Sequence, residues 1–214
     1  MLPPIQRIFG IGLNYRDHAT EMNKPIPAHP ELFMRPLSCL LPAGQALTLP
    51  SNSSKVDYEA ELGVLVGTAG KFISPDKALS HVAAYCIACD VSVRDFQGHG
   101  SQWTAGKIFD GTLPIGPFTP ANPLHDPQNL DIALSINDRT LQQSHTSQMI
   151  FSVAQILAYI SNCLALQPGD LIITGTPAGV GIGQNPKRYL EAGDHVLVNI
   201  SQLATLDFAV TTAI

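Results

Sequence analysis

The stretch Val56-Asp-Tyr-Glu-Ala-Glu-Leu-Gly-Val-Leu-Val66 constrains this chain more than any other. Successive side chains of a strand point to opposite faces, and read with that period the segment divides into two sets. Val56, Tyr58, Ala60, Leu62, Val64 and Val66 make a continuous apolar face that must meet a core. The other face carries Asp57, Glu59 and Glu61 ahead of Gly63 and Leu65. At ~3.3 Å per residue, Glu59 and Glu61 stand roughly 7 Å apart along the strand. Carboxylates that close repel, and an interior strand keeps them only with a cation or a strong donor between them. They are either half of a divalent-metal site made of oxygen ligands or the solvated outer face of a half-exposed strand. The stretch alone allows both.

With 214 residues, 45% apolar and 14% charged, the chain suits one large domain spanning 1–214 with a substantial core. Seventeen acidic residues against twelve basic ones, with no basic cluster, argue against a nucleic-acid or anionic-membrane partner. No apolar run reaches the ~18 residues of a membrane span, and Met1-Leu-Pro-Pro does not open a signal peptide, so the expected compartment is cytoplasmic. Cys86-Ile-Ala-Cys89 is formally a CxxC, but it lies in the apolar run Tyr85–Asp90. In a strand those two thiols face opposite ways, and no second pair completes a zinc site, so buried reduced thiols are expected.

Along the chain, Ile5–Gly12 leads into a segment where His18 and Glu21 are three apart. One turn of helix puts them on one face, where a carboxylate can orient an imidazole for proton transfer; the alternative is an exposed surface turn. The Pro-rich residues 23–30 read as a loop, of the kind that serves as a lid over a site. Arg35 precedes a proline that favours extended backbone. Ser74-Pro75 opens a short helix toward Ala84. Asp90 ends a buried strand, as a third metal ligand or as the cap of the turn that presents Arg94 and Gln97 together. Lys107 stands in a weakly charged region, and residues 111–120, with three prolines and two glycines, read as loop. Ser152–Leu164 is the clearest helix, with a Ser/Gln capping box and a stripe of Ile156, Leu157, Ile160 and Leu164. Gly175–Gly183 fits neither phosphate-loop spacing. It suits a loop whose backbone amides, with Thr176, approach a small ligand closely.

Five patterns occur in one order. They are Gly12-x-Asn-Tyr-x-x-His18-x-x-Glu21-Met22, Asp57-Tyr-Glu59-x-Glu61-Leu-Gly63, Asp90-Val-Ser-x-Arg94-Asp-x-Gln97, Gly106-Lys107-x-Phe-Asp110 with Pro114-x-Gly-Pro117, and Gly175-Thr-Pro-x-Gly179-Val-Gly181. Together they resemble the fumarylacetoacetate hydrolase family over about residues 10 to 185, in particular its compact, acylpyruvase-like members. The resemblance implies an α+β, mostly β fold with a mixed rolled sheet and a few short helices, and a homodimer. It implies a divalent cation, Mg²⁺ first with Mn²⁺ or Ca²⁺ as alternatives, held by Glu59, Glu61 and Asp90. It further implies a catalytic His18–Glu21 dyad with Lys107, and Arg35, Arg94, Gln97 and Thr176 around a small 2-oxo-acid substrate. Arg35 replaces the Lys of many members, turning a point charge into a planar fork.

The activity so implied is hydrolysis of a carbon–carbon bond in a 3-acylpyruvate through a metal-stabilised pyruvate enolate. Decarboxylation, tautomerisation or isomerisation of related 2-oxo acids needs the same cation and enolate without the attacking water. A non-catalytic 2-oxo-acid binder is the rival from another class.

Overall fold

A computed structural model describes residues 1–122 and 126–212. Its strands, in chain order, are β1 (Arg7–Gly12), β2 (Glu31–Arg35), β3 (Leu40–Pro42), β4 (Leu47–Leu49), β5 (Val56–Asp57), β6 (Ala60–Val66), β7 (Val82–Cys89), β8 (Ser92–Val93), β9 (Leu113–Ile115), β10 (Thr119–Pro120), β11 (Asp131–Ile136), β12 (Arg139–His145), β13 (Asp170–Ile173), β14 (His195–Ile200) and β15 (Leu206–Thr212). Four short α-helices accompany them: α1 (Arg16–Glu21), α2 (Pro75–Ala78), α3 (Arg94–Gln97) and α4 (Val153–Cys163). The larger sheet runs β2-β1-β13-β6-β7-β9-β3, with β10 added on β7. A second sheet runs β12-β11-β14-β15-β4, and β5 pairs β8 as a small ribbon. Parallel pairs (β1 with β13, β3 with β9) sit among antiparallel ones, so the fold is the mixed, mostly β type expected.

The acidic strand lies near the middle of the larger sheet, as β6 between β13 and β7. All seven of its residues are buried, so the half-exposed alternative for this strand does not hold. Its apolar set, Val56 through Val66 at every second residue, joins one core with Ile156, Leu157 and Ile160 of α4 and with Ile132, Val196 and Val198 of the second sheet. Each such aliphatic side chain contributes about 1.5–3 kcal/mol when fully buried. The larger sheet's opposite face packs a smaller cluster of Ile8, Cys39, Ala88, Leu113 and Ile173. Glu61 is thus interior on a strand with apolar packing on both sides. α4 starts with both halves of its capping box formed, Ser152 accepting from Gln155 N and Gln155 from Ser152 N.

Three local expectations change. The helix after Ser74 stops at Ala78 and passes through a 3₁₀ turn into β7 at Val82, because Val82–Cys89 is needed as the partner of β6. Residues 111–120 are not all loop: Leu113–Ile115 pairs in parallel with β3. Pro114 is tolerated because β9 meets β7 through the single pair Ala88–Ile115, so little of a ladder is lost. Cys86 and Cys89 are free and buried, and burial pushes the Cys86 thiol up to about 12.

Candidate active site

The register of β6 against β7 builds the centre of the site. Ala60 lies opposite Cys89, and Asp90 N donates to Glu59 O at 2.8 Å. That brings Asp90, just past the end of β7, beside Glu61 of β6 and Glu59 just ahead of it. Ligand atoms of Glu59, Glu61 and Asp90 lie within 4.8 Å of one another, and all three residues are buried.

Their charge is unevenly compensated. Lys107 Nζ donates to Glu59 Oε2 at 2.7 Å and Asp90 Oδ2 at 2.5 Å. Arg94 Nη2 lies 2.7 Å from Glu59 Oε1. Burial alone would raise the Glu59 carboxyl, but Lys107 and then Arg94 outweigh it and hold it at about 2. Glu61 is the opposite case: burial first, then the neighbouring Asp90 and Glu59, push it well above the usual carboxylate range. Its one direct protein hydrogen bond among the described residues comes from Gly175 N, at 2.7 Å. A buried carboxylate left this short of positive charge is what a divalent cation would satisfy, and three oxygen donors match a hard ion.

Gly175 reaches Glu61 through a backbone that other residues adopt poorly. Its φ is +93°, and a Cβ there would stand 2.7 Å from Asn14 Cβ. Asn14 holds that corner by donating to Thr174 O at 2.8 Å and accepting from Phe151 N at 2.8 Å.

α1 supplies the dyad. His18 Nδ1 lies 2.9 Å from Glu21 Oε2, and the helix docks on the glycine loop through Gly179 N donating to Glu21 Oε1 at 2.9 Å. With Nδ1 committed to a carboxylate, Nε2 is the nitrogen left for proton transfer. His18 is mostly buried and lines the pocket, so the surface-turn alternative does not apply.

The pocket is a cavity of about 260 Å³. It is lined by Glu59, Glu61, Asp90 and Lys107, by Arg94, Gln97, Gly175 and Thr176, and by His18, Met22, Lys24 and Glu31. Its apolar wall, Phe33 and Trp103 in an edge-on pair, depends on two glycines of β1. A Cβ at Gly10 would meet the Phe33 ring at 2.2 Å, and one at Gly12 the Trp103 ring at 1.7 Å.

Eight of the ten candidate site residues line the pocket, Glu21 reaches it through His18, and Arg35 stands behind Asp90. Its buried guanidinium binds Asp90 Oδ1 and donates to Thr112 O at 3.0 Å and Thr112 Oγ1 at 2.7 Å. It does not line the cavity, so its geometry is that of a support behind Asp90, not a substrate contact. Arg35 shares a face of β2 with Phe33, but it pairs with Ile8, further along β1 from the pocket-lining Ile11 and Gly12 than Phe33, which pairs with Gly10.

Two further residues organise the site. Asp57 accepts from Arg94 Nε, Tyr58 N, Gly181 N and Ile182 N, all within 3.0 Å, tying the acidic strand to the glycine loop. Gln142, fully buried on β12, accepts from Ala60 N at 2.9 Å and donates to Thr176 Oγ1 at 2.8 Å and Pro177 O at 2.9 Å. Asp57 stands inside the Asp-Tyr-Glu pattern, which was its signal. Gln142 sits in a polar strand and gave none.

Known proteins resemble this chain in sequence and in fold. The model of the fumarylacetoacetate (FAA) hydrolase C-terminal family matches residues 7–211. A 2,4-didehydro-3-deoxy-L-rhamnonate hydrolase from Sphingomonas sp. is 47% identical over 205 residues, covering 94% of this chain and 72% of that protein. The crystal structure of fumarylpyruvate hydrolase from Pseudomonas aeruginosa, in complex with Mn²⁺ and pyruvate, superposes with a TM-score of 0.90 at 35% identity, over 99% of this chain and 91% of that one. A 2-hydroxyhepta-2,4-diene-1,7-dioate isomerase from Mycobacterium marinum gives 0.86 at 34% identity, over 98% and 76%.

Proposed function

The chain belongs to the fumarylacetoacetate hydrolase family, whose members here are hydrolases and isomerases, and we propose that it hydrolyses the carbon–carbon bond between the acyl group and the pyruvate unit of a 3-acylpyruvate. The observation that supports this reading is one pocket holding both a buried carboxylate triad and a carboxylate-oriented histidine. Glu59, Glu61 and Asp90 would hold Mg²⁺, or Mn²⁺ as in the fumarylpyruvate hydrolase complex, and such a cation supplies Lewis-acid stabilisation of enolate charge.

The chain's own residues account for the rest. Glu21 fixes the ring of His18, and Nε2 takes a proton from water as the water oxygen bonds to the distal carbonyl carbon. The bond between that carbon and C3 of the pyruvate unit then breaks, and its electron pair becomes the enolate. An ammonium has three donors; two of those on Lys107 are on Glu59 and Asp90, leaving one for the developing oxyanion. The proton carried by His18 returns to C3, giving pyruvate and a carboxylic acid. Phe33 and Trp103 keep the acyl side of the pocket dry.

Isomerisation, seen in a relative, needs proton transfer but no water attack. The test is a panel of acylpyruvates, oxaloacetate and hydroxydienoic acids assayed with Mg²⁺, Mn²⁺ and EDTA by loss of enol absorbance. Metal-dependent release of pyruvate from acylpyruvates, reduced about 10²–10⁴-fold in His18→Ala, supports the hydrolase reading. Turnover of the dienoic acids alone would replace it with isomerisation, and no turnover at all would sink it.

A further inference from the structure

The imidazole of His18 is carried by α1, a helix of only six residues. Isolated helices shorter than ~12–15 residues are marginal in water, so contacts with the rest of the fold decide where α1 sits. Its N-cap residue, Tyr15, makes no side-chain capping bond. Within the helix, two carboxylates anchor it. Glu21, at its end, is shared between His18 Nδ1 and Gly179 N. Asp17, in its first turn, does not line the cavity, and its hydrogen bonds run to separate parts of the chain. Its Oδ1 accepts from His18 N at 2.7 Å, and its Oδ2 accepts from Ser144 Oγ on β12. Ala178 N, next to the Gly179 amide that holds Glu21, approaches Oδ1 at 3.4 Å.

An acidic residue in the first turn of a helix ordinarily serves the helix dipole, and that role needs no partner. Asp17 has partners, and the one on β12 is placed by the fold. Gln142 and Ser144 share a face of β12 across a stretch of regular pairing with β11, and Gln142 holds the glycine loop at Thr176 and Pro177. One strand of the second sheet therefore fixes both the loop and, through Asp17, the backbone at His18. We infer that Asp17 and Ser144 are positioning residues for the base: their bond sets where the His18 ring stands relative to the carbon that water attacks. This rests on the reading of His18 as the base of acylpyruvate hydrolysis. Neither residue hydrogen-bonds to Glu59, Glu61, Asp90 or Lys107 among the described residues, so binding of the pyruvate unit does not depend on them. Displacing a catalytic group by about 1 Å costs on the order of a hundredfold in rate.

The test measures kcat and KM for an acylpyruvate that the wild type hydrolyses, and calorimetric binding of pyruvate to the Mg²⁺-loaded protein. In Asp17→Ala, kcat falls roughly ten- to a hundredfold while KM and pyruvate affinity hold. Ser144→Ala lowers kcat in the same direction and by less, because His18 N keeps its acceptor. Ser144→Thr, which restores a hydroxyl, recovers the rate. The Asp17→Ala/Ser144→Ala double variant is no slower than Asp17→Ala, since the two residues act as one tie. On a His18→Ala background Asp17→Ala costs nothing further, whereas a general loosening of the fold would slow both backgrounds alike. Should Asp17→Ala not fold, Ser144→Ala and Ser144→Thr on the two backgrounds read the same tie. Wild-type kcat in either single alanine variant, a loss that persists on the His18→Ala background, or a matching loss of pyruvate affinity overturns the inference while hydrolysis stands. No acylpyruvate turnover in the wild type overturns the hydrolase reading, and this inference with it.

Discussion

Glu61 and Glu59 sit one residue apart from the same alanine yet face opposite electrostatic problems. Glu59, held at about 2 because Lys107 and Arg94 outweigh its burial, stabilises the fold above the unfolded carboxylate range, and that contribution is lost as pH falls toward 2. Glu61 is raised by burial and by Asp90 and Glu59, so the unfolded chain releases its proton at lower pH than the folded one. Its share of stability therefore falls as pH rises above the unfolded value. In EDTA at neutral pH, Glu61→Gln is expected to melt higher than the wild type, by about 2–4 °C for each kcal/mol relieved in a protein of this size. Scanning calorimetry at pH 5 and pH 7.5 checks this, and an unchanged or lower Tm at pH 7.5 counts against the uncompensated charge. Lys107→Ala should lower kcat about a hundredfold or more, the worth of one oxyanion donor. A wild-type rate would reduce Lys107 to a counter-ion. At this scale much was readable from the chain, because the carboxylates, the dyad and Lys107 carry chemistry in their residue type. Arg35 and Gln142 were not readable: whether a buried polar side chain faces the ligand or the ligand's support depends on which residue lies across the sheet.

Among the elements, the glycine loop after β13 is the most exacting. Gly175→Ala forces a Cβ onto Asn14 at a left-handed φ, a cost of about 1–2 kcal/mol before any displacement of Asn14. The loop must move, and the bond from Gly175 N to Glu61 goes with it. A drop in Tm together with weaker Mg²⁺ binding by titration calorimetry is expected; a variant with wild-type metal affinity would show that Gly175 does not orient Glu61. α4 provides the contrasting case. Ser152→Ala removes the cap from Gln155 N and should cost about 1 kcal/mol in chemical denaturation, without touching kcat. That helix was legible because capping and periodicity are local. β9 and the early end of α2 were not, since each is decided by a strand distant in sequence.

For the molecule as a whole, the site residues come from α1, β6, the end of β7, α3, the turn before β9 and the loop after β13. A ligand that binds only the folded state stabilises it by mass action, about 2.7 kcal/mol at a hundred times its Kd. Saturating Mg²⁺ or Mn²⁺ is thus expected to raise Tm by several degrees, and Asp90→Asn to abolish most of that rise. Equal rises in the variant would place the cation elsewhere. No helix of the described residues is long and apolar enough to cross a membrane. The parallel pairing of β1 with β13 joins residues 7–10 to residues 170–173, so the two ends of the site's sequence meet at the centre of the larger sheet. A ribosome must therefore release the chain past Thr176 before His18 and Thr176 can share a cavity. Nascent chains stalled short of Ile173 should carry no activity however much metal surrounds them.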